Sequence, residues 1–458
     1  MKAIMATVSR TVPVEGSTGT EPTPGYARYV VIVLMACYAL SFIDRQILSL
    51  LVGSIKRDLG ISDTRVGLLQ GLAFGIFYTI LGLPLGRIAD TRSRRTLISV
   101  GITFWSIMTA MCAAAGSFWS LFVARMGVGV GEATLAPGAF SLITDYFPKE
   151  RLGRALSIYS MGIFIGSGIA MILGGAVVQA TLRTPTATVP ILGTIASWRL
   201  TFLIVGIPGL LVALWVLSVR EPVRKYVMRA KDGAAAKLSP AQVFDQLRVR
   251  WQSVAGISIA MVFQSACSYA FLAWGPAFFQ RIHHWGPAQT GRALGFIIMI
   301  FGCLGMYAGG AMADRWSKQG IRESHLRTGV LCGIGVLLFF PAALLTSNVN
   351  LTLALLAPGF FCLGLPMGTA YAALQLILPN QVRGQISALF IFILNLGGLT
   401  LGPLAPALLN DYFFHSGQAI GTSLAISLAV GAVLMAISFY AVYGPYRRHS
   451  AEMDALAG

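Results

Sequence analysis

The sequence is short of charge. Of 458 residues, 34 are Lys or Arg and 17 are Asp or Glu, 11% in all, against about 25% in a soluble domain. Such a chain cannot dress the surface of an ordinary soluble enzyme, and its 56% apolar content excludes a disordered polymer. The net charge of +17 points away from nucleic acid all the same, because binders of that class gather their cations on one wet face. Cysteine is sparse too. Cys37, Cys112, Cys267, Cys303, Cys332 and Cys362 all lie in apolar stretches, and no two form Cys-x-x-Cys. They read as small packing residues rather than disulfides or metal ligands. The His283-His284 pair has no carboxylate or thiol nearby in sequence and reads as solvated loop. No cofactor or metal is expected. With no nucleophile–base pair in the apolar blocks, neither is an enzyme. Residues 1–28 lack the apolar core of a cleaved leader and read as a disordered cytoplasmic tail.

What the sequence does have is long apolar runs. Blocks near 29–52, 66–89, 96–115, 118–146, 153–180, 198–219, 252–280, 290–313, 328–347, 351–379, 385–410 and 418–443 each reach the ~20 residues of a spanning helix. Lipid leaves an open sheet edge unsatisfied, so helices are the default. The expectation is an all-α membrane protein of twelve transmembrane helices in two pseudo-symmetric six-helix bundles. The bundles occupy 29–219 and 252–443, joined by a cytoplasmic linker at 220–251 and followed by a tail at 444–458. With the amino terminus inside, the inner segments hold 25 Lys and Arg and the outer segments 7. That asymmetry predicts an inner-membrane protein with both termini cytoplasmic. The basic linker could meet anionic lipid headgroups, although solvated topology-setting charge accounts for it as well.

Two patterns recur across the linker. Gly86-Arg87-Ile88-Ala89-Asp90 matches Gly310-Ala311-Met312-Ala313-Asp314 at an offset of 224. Phe147-Pro148 with Gly153 matches Leu378-Pro379 with Gly384 at an offset of 231. Similar offsets from unrelated motifs indicate a duplicated half.

These residues carry a resemblance. The run from Gly86 to Asp90, followed by Arg92, Arg94 and Arg95, resembles the signature loop of the major facilitator superfamily, with Thr91 and Ser93 departing from it. The run Arg125-Met126-Gly127-Val128-Gly129-Val130-Gly131-Glu132 is similar to the fourth-helix motif of that superfamily, and Trp198-Arg199 to its sixth-helix start. Phe42-Ile43-Asp44-Arg45, Gly131-Glu132-Ala133, Asp58 to Asp63 and Ser141 to Pro148 resemble the spinster family of lysolipid and sphingosine-phosphate type. The resemblance implies a secondary transporter working by alternating access.

Four charges lie well inside apolar blocks: Asp44, Arg45, Arg125 and Glu132. Charges at such depth are costly and mark pathways. Helix one runs outward and helix four inward, so at 1.5 Å per residue Asp44 and Arg125 both sit roughly 10–12 Å below the outer ends. An Asp44–Arg125 ion pair is therefore expected. Glu132, two turns on, lies about 10 Å deeper on nearly the same face and has no equally obvious partner, Arg45 being one option. A buried carboxylate without a firm partner favours its neutral form, which makes Glu132 the first candidate proton carrier and Asp44 the second. Gly127, Gly129 and Gly131 beside it serve close packing or a gating hinge.

The repeat places Ser268, Tyr269, Leu356 and Leu363 opposite these four, so the second wall should be neutral. Arg125 and Arg45 are the candidate headgroup ligands. Gln264, Ser268, Tyr269, Gln375 and Asn395 are the substrate-binding candidates across the cavity, with Tyr371 near them. Gly86, Asp90, Arg94, Arg95, Asp314 and Arg315 are the candidate inner gate, its carboxylates seated over helix amino termini near Gly153 and Gly384. The expected partners are protons, membrane lipids and an amphipathic anion such as a lysophospholipid, carried by a monomer. A small organic anion such as an aromatic or sugar acid is the alternative substrate, and a passive lipid scramblase the alternative class.

Overall fold

In the computed structural model, residues 23–147, 149–190, 193–222 and 240–457 are described. Twelve helices long and apolar enough to cross a membrane follow one another among them: α1 Gly25–Leu50, α2 Asp63–Gly82, α3 Arg94–Ala114, α4 Phe118–Tyr146, α5 Ile158–Thr181, α6 Ser197–Leu217, α7 Leu247–Ile282, α8 Pro287–Lys318, α9 Ser324–Leu345, α10 Val349–Leu376, α11 Gln385–Phe413 and α12 Gly417–Ala441. Each matches one apolar run of the sequence. Polar side chains at the boundaries supply the starts. Ser62 Oγ accepts from the Arg65 amide, Ser117 and Ser120 form a reciprocal capping box, and Asn348 Oδ1 accepts from Asn350 and Leu351. Such caps satisfy amides that would otherwise be orphaned.

Three boundaries differ from the sequence expectation. The first helix begins at Pro24, set by a Thr23 cap, inside the segment read as tail. The seventh begins at Pro240, inside the segment read as linker. Tyr443–Ala457 forms a further helix, α13, where a plain tail was expected. Residues 1–22 and 223–239 lie outside the described residues. The all-α reading also missed a small antiparallel hairpin, β1 Thr186–Val189 with β2 Gly193–Ala196, registered Thr186 to Ala196.

The duplication is visible in the packing. Helices α1 and α5 pair as α7 and α11 do, and α3 and α6 pair as α9 and α12 do. The halves meet along α5–α8 and α2–α11, which the repeat relates to each other. Both seams are backbone-close. A Cβ on Gly291 would stand 2.1 Å from the Met171 carbonyl oxygen, and one on Gly71 would stand 2.2 Å from that of Leu399. No side chain fits at either place.

One staple recurs in each half with its charges exchanged. In the first, Arg94 at the start of α3 donates through Nε to Glu221 Oε1 at 2.6 Å, beyond the end of α6, and also pairs with Asp145. In the second, Glu323 precedes α9 and accepts from Arg447 Nε at 2.7 Å and Nη2 at 2.5 Å, beyond the end of α12, and from Arg327 at 2.9 Å. The Arg447 guanidinium pulls the Glu323 carboxyl from 4.5 down to about 2. A depressed carboxylate contributes stability that is present above its unfolded value and disappears as pH falls toward its folded one. Glu323→Gln should therefore lower the thermal midpoint at neutral pH. The gap from wild type should close as pH falls from about 4.5 toward 2, read by intrinsic fluorescence during heating in detergent.

Candidate functional site

The four buried charges converge, but not in the expected pairing. Arg45 on α1 donates through Nε to Glu132 Oε2 on α4 at 2.7 Å, and its Nη2 lies 2.6 Å from the same oxygen. Ser41, one turn from Arg45 on the same face of α1, donates to that oxygen at 2.8 Å. Glu132 Oε1 is buried without a partner. Aromatic rings surround the guanidinium, with Phe74 at 4.4 Å, Tyr78 at 4.9 Å and Phe42 at 5.3 Å from its carbon. A desolvated cation gains about 2 kcal/mol or more from such a face. These rings offset part of the cost of desolvating the Arg45 guanidinium.

The predicted Asp44–Arg125 ion pair is corrected. Arg125 Nη1 donates to the backbone carbonyl of Asp44 at 3.1 Å, not to its carboxylate. The depth match was right and the side-chain direction was not. The Asp44 carboxyl turns toward Trp105 and Thr109 of α3. Asp44 Oδ1, Trp105 Nε1, Thr109 Oγ1 and Arg125 Nε are all buried with no hydrogen-bond partner. Arg125 is only 1% exposed. Arg45, with 11% of its side chain exposed, is thus the better placed of the two to meet a solute.

Across from them, the second half offers few free donors. Gln264 Nε2 is spent on the Leu363 carbonyl at 3.0 Å and on Met367 Sδ and Ser268 Oγ within its own half. Ser268 Oγ donates back to the Gln264 carbonyl at 3.1 Å, and Gln375 Nε2 to Ser387 Oγ at 2.8 Å. Asn395 is partly exposed on α11. Tyr269 sits within the electrostatic reach of Arg45, and Tyr371 within that of Tyr78 and Tyr269. Sequence reasoning found those two tyrosines and missed three in the first half. Tyr38 stacks on Tyr159 at 5.2 Å, and Tyr78 stacks on Phe74 at 5.1 Å. Tyr159 Oη is buried and unpartnered. The available signal was their placement on three different apolar runs, whose azimuths the sequence does not relate.

A second group, missed as a site, closes the end opposite the termini. Asp63, fully buried at the start of α2, receives Lys56 Nζ at 2.6 Å, both terminal nitrogens of Arg281 at 2.8 Å and Asn410 Nδ2 at 3.0 Å. Asp411 accepts from the amides of Asp63 and Thr64. Arg281, Asn410 and Asp411 belong to the second half, so the halves are latched here. Nearby, Asp58 takes Trp198 Nε1 at 3.0 Å and Arg199 at 2.8 Å.

At the end that carries the termini, the residues expected to form the inner gate are dispersed. Arg94 and Arg95 bond within the first half, to Glu221, Asp145 and the Leu217 and Val219 carbonyls. Gly86 faces Pro137, also within that half. Asp314 and Arg315 are exposed. The Asp90 side chain and the seats at Gly153 and Gly384 lie outside the described residues. Among the described residues, Arg281 and Asp63 form an ion pair between the halves at the end opposite the termini.

Removing one member of a buried pair strands the other charge, at a cost of about 3–5 kcal/mol. Arg45→Met should therefore destabilise strongly, and Arg45→Met with Glu132→Gln should recover most of the loss. Thermal midpoints of wild type, both single variants and the double variant would show the non-additivity.

Comparison with known proteins gives the fold its family. The family model for the Major Facilitator Superfamily matches residues 34–403. An MFS-type efflux pump of Mycolicibacterium smegmatis is 28% identical over 429 residues, 91% of this chain and 92% of that protein. A hexuronate transporter of Bacillus subtilis is 26% identical over 423 residues, 90% and 94% of the two chains. The crystal structure of a bacterial homologue of the human lysosomal transporter Spinster, inward-facing and unoccupied, superposes with a TM-score of 0.78 at 25% identity, covering 95% of this chain and 99% of that one. The two-bundle fold, the helix order and the matched span make this chain a spinster-like member of the Major Facilitator Superfamily, a family of membrane transporters.

Proposed function

We propose that the protein is a proton-coupled secondary transporter of an amphipathic anionic lipid, such as a lysophospholipid, working by alternating access. We place it in the inner membrane with both termini cytoplasmic, on the strength of the 25-to-7 bias of its basic residues. The halves 29–219 and 252–443 would rock about the buried charges.

One observation carries the reading. Arg45 reaches the interior between the halves, and among the described residues its anionic partner is Glu132. A proton on Glu132 removes that partner's charge and leaves the guanidinium, still held by Phe74, Tyr78 and Phe42, ready for an anionic headgroup. Headgroup and ionised Glu132 compete for one cation, so proton and substrate are linked. Asp44, whose carboxyl faces Trp105 and Thr109, is a second proton site. In the outward-facing state Asp90 and Asp314 would take their inner seats while the Asp63 latch opens.

The second wall favours an amphipathic cargo over a sugar. Gln264, Ser268 and Gln375 are already bonded within their own half. A sugar would have to break those bonds and repay each one, whereas an acyl chain asks for none. A small organic anion is the second reading, motivated by the similarity to the hexuronate transporter.

Uptake into proteoliposomes separates the possibilities. Arg45→Ala should lower lysophosphatidylglycerol transport by about tenfold or more, the worth of a charged hydrogen bond. Glu132→Gln should leave movement that no longer follows the pH gradient. Uptake of galacturonate in place of lysolipid would establish the second reading. Wild-type, proton-dependent transport in both variants would refute the mechanism, and unsaturable, gradient-blind movement in wild type would indicate a scramblase.

A further inference from the structure

The Glu323 staple does more than pin α13. It forms the floor of an open groove of about 720 Å³ at the end of the second half that carries the carboxyl terminus. Trp316 from α8, Tyr440 from α12, Tyr443 beyond it, Arg327 and Arg447 line it. Tyr440 is 68% exposed on a membrane-spanning helix, so the groove opens sideways toward lipid. Its basic groups lie at span ends, Arg327 in the first turn of Ser324–Leu345 and Arg447 beyond the end of Gly417–Ala441.

The chemistry is half-used. Glu323 engages two N–H groups of Arg447 and one of Arg327, out of five on each guanidinium. Arg447 has 55% and Arg327 38% of its side chain exposed, so their remaining donors face outward. Two guanidiniums and one carboxylate leave one positive charge, which matches one phosphodiester. The carboxylate also fixes both guanidiniums, so little freedom is lost when an anion arrives. Aromatic rings at the interface and arginine just beyond it are the two features that together suit a phospholipid, one for the glycerol and acyl region and one for the headgroup.

We propose that this groove is a binding site for one anionic phospholipid of the leaflet on the side of the termini, its phosphodiester held by Arg327 and Arg447 and its upper chain lying against Trp316 and Tyr440. The site is separate from the central charges around Arg45. It would couple lipid composition to the geometry of α8, α9 and α12.

Native mass spectrometry of the full chain from mixed phosphatidylglycerol and phosphatidylcholine vesicles tests this. Wild type should retain one phosphatidylglycerol in preference to phosphatidylcholine. Arg447→Gln should reduce that retention about fivefold, and Arg327→Gln with it by about fivefold again. Arg447→Lys, which keeps a cation beside Glu323, should restore part of the retention. Arg183→Gln, an exposed arginine of the opposite end, should change nothing. Millimolar inorganic phosphate should fail to displace the lipid. Equal retention of the two lipids, undiminished phosphatidylglycerol in the double variant, or displacement by inorganic phosphate would overturn the assignment, the last marking a site for free anion.

Discussion

The ion pair between Arg45 and Glu132 is the constraint on which the rest of the first half turns. Both charges are costly at that depth and each offsets the other, which sets α1 and α4 face to face there. Ser41 and Arg45 lie one turn apart and both reach Glu132 Oε2, which fixes the rotation of α1. With α1 so turned, Asp44 points away toward α3, and Arg125 is left with Asp44's carbonyl in place of its carboxylate. Phe74 and Tyr78 of α2 then close over the guanidinium. One contact thus sets the azimuth of three helices around the same point.

The fold was legible because lipid imposes a simple rule: a run either crosses or it does not. All twelve apolar runs became helices, and the repeated Gly-x-x-x-Asp motif foretold the paired halves. The site was legible in part. Depth along a helix follows from residue count, and that arithmetic brought Asp44, Arg45, Arg125 and Glu132 together. Azimuth does not follow from depth. Adjacent residues on a helix differ by 100°, so of Asp44 and Arg45 only one could face Glu132. The spacing of Ser41 and Arg45 was the signal that would have chosen correctly. The Asp63 latch was harder to see, because Lys56, Arg281 and Asn410 come from segments 7, 218 and 347 residues away. Their charges counted toward orientation, and nothing local tied them to one another.

The two ends of the molecule use different physics. At the outer end, carboxylate, guanidinium and amide side chains converge on Asp63 over seams where Gly71 and Gly291 bring backbones into contact. Close packing there must be broken all at once, which favours two discrete states over a continuum. At the end that carries the termini, Arg94 with Glu221 and Glu323 with Arg447 each tie two helices of one half together.

The exchanged polarity of the two staples bears on assembly. A duplicated chain risks pairing the third helix of one half with the sixth of the other, since the two surfaces descend from one design. Here such an error would set Arg94 against Arg447, and Glu323 against Glu221. Like charge would meet like at both ends of the mistake, so each half rejects its twin's partner by repulsion as well as choosing its own by attraction.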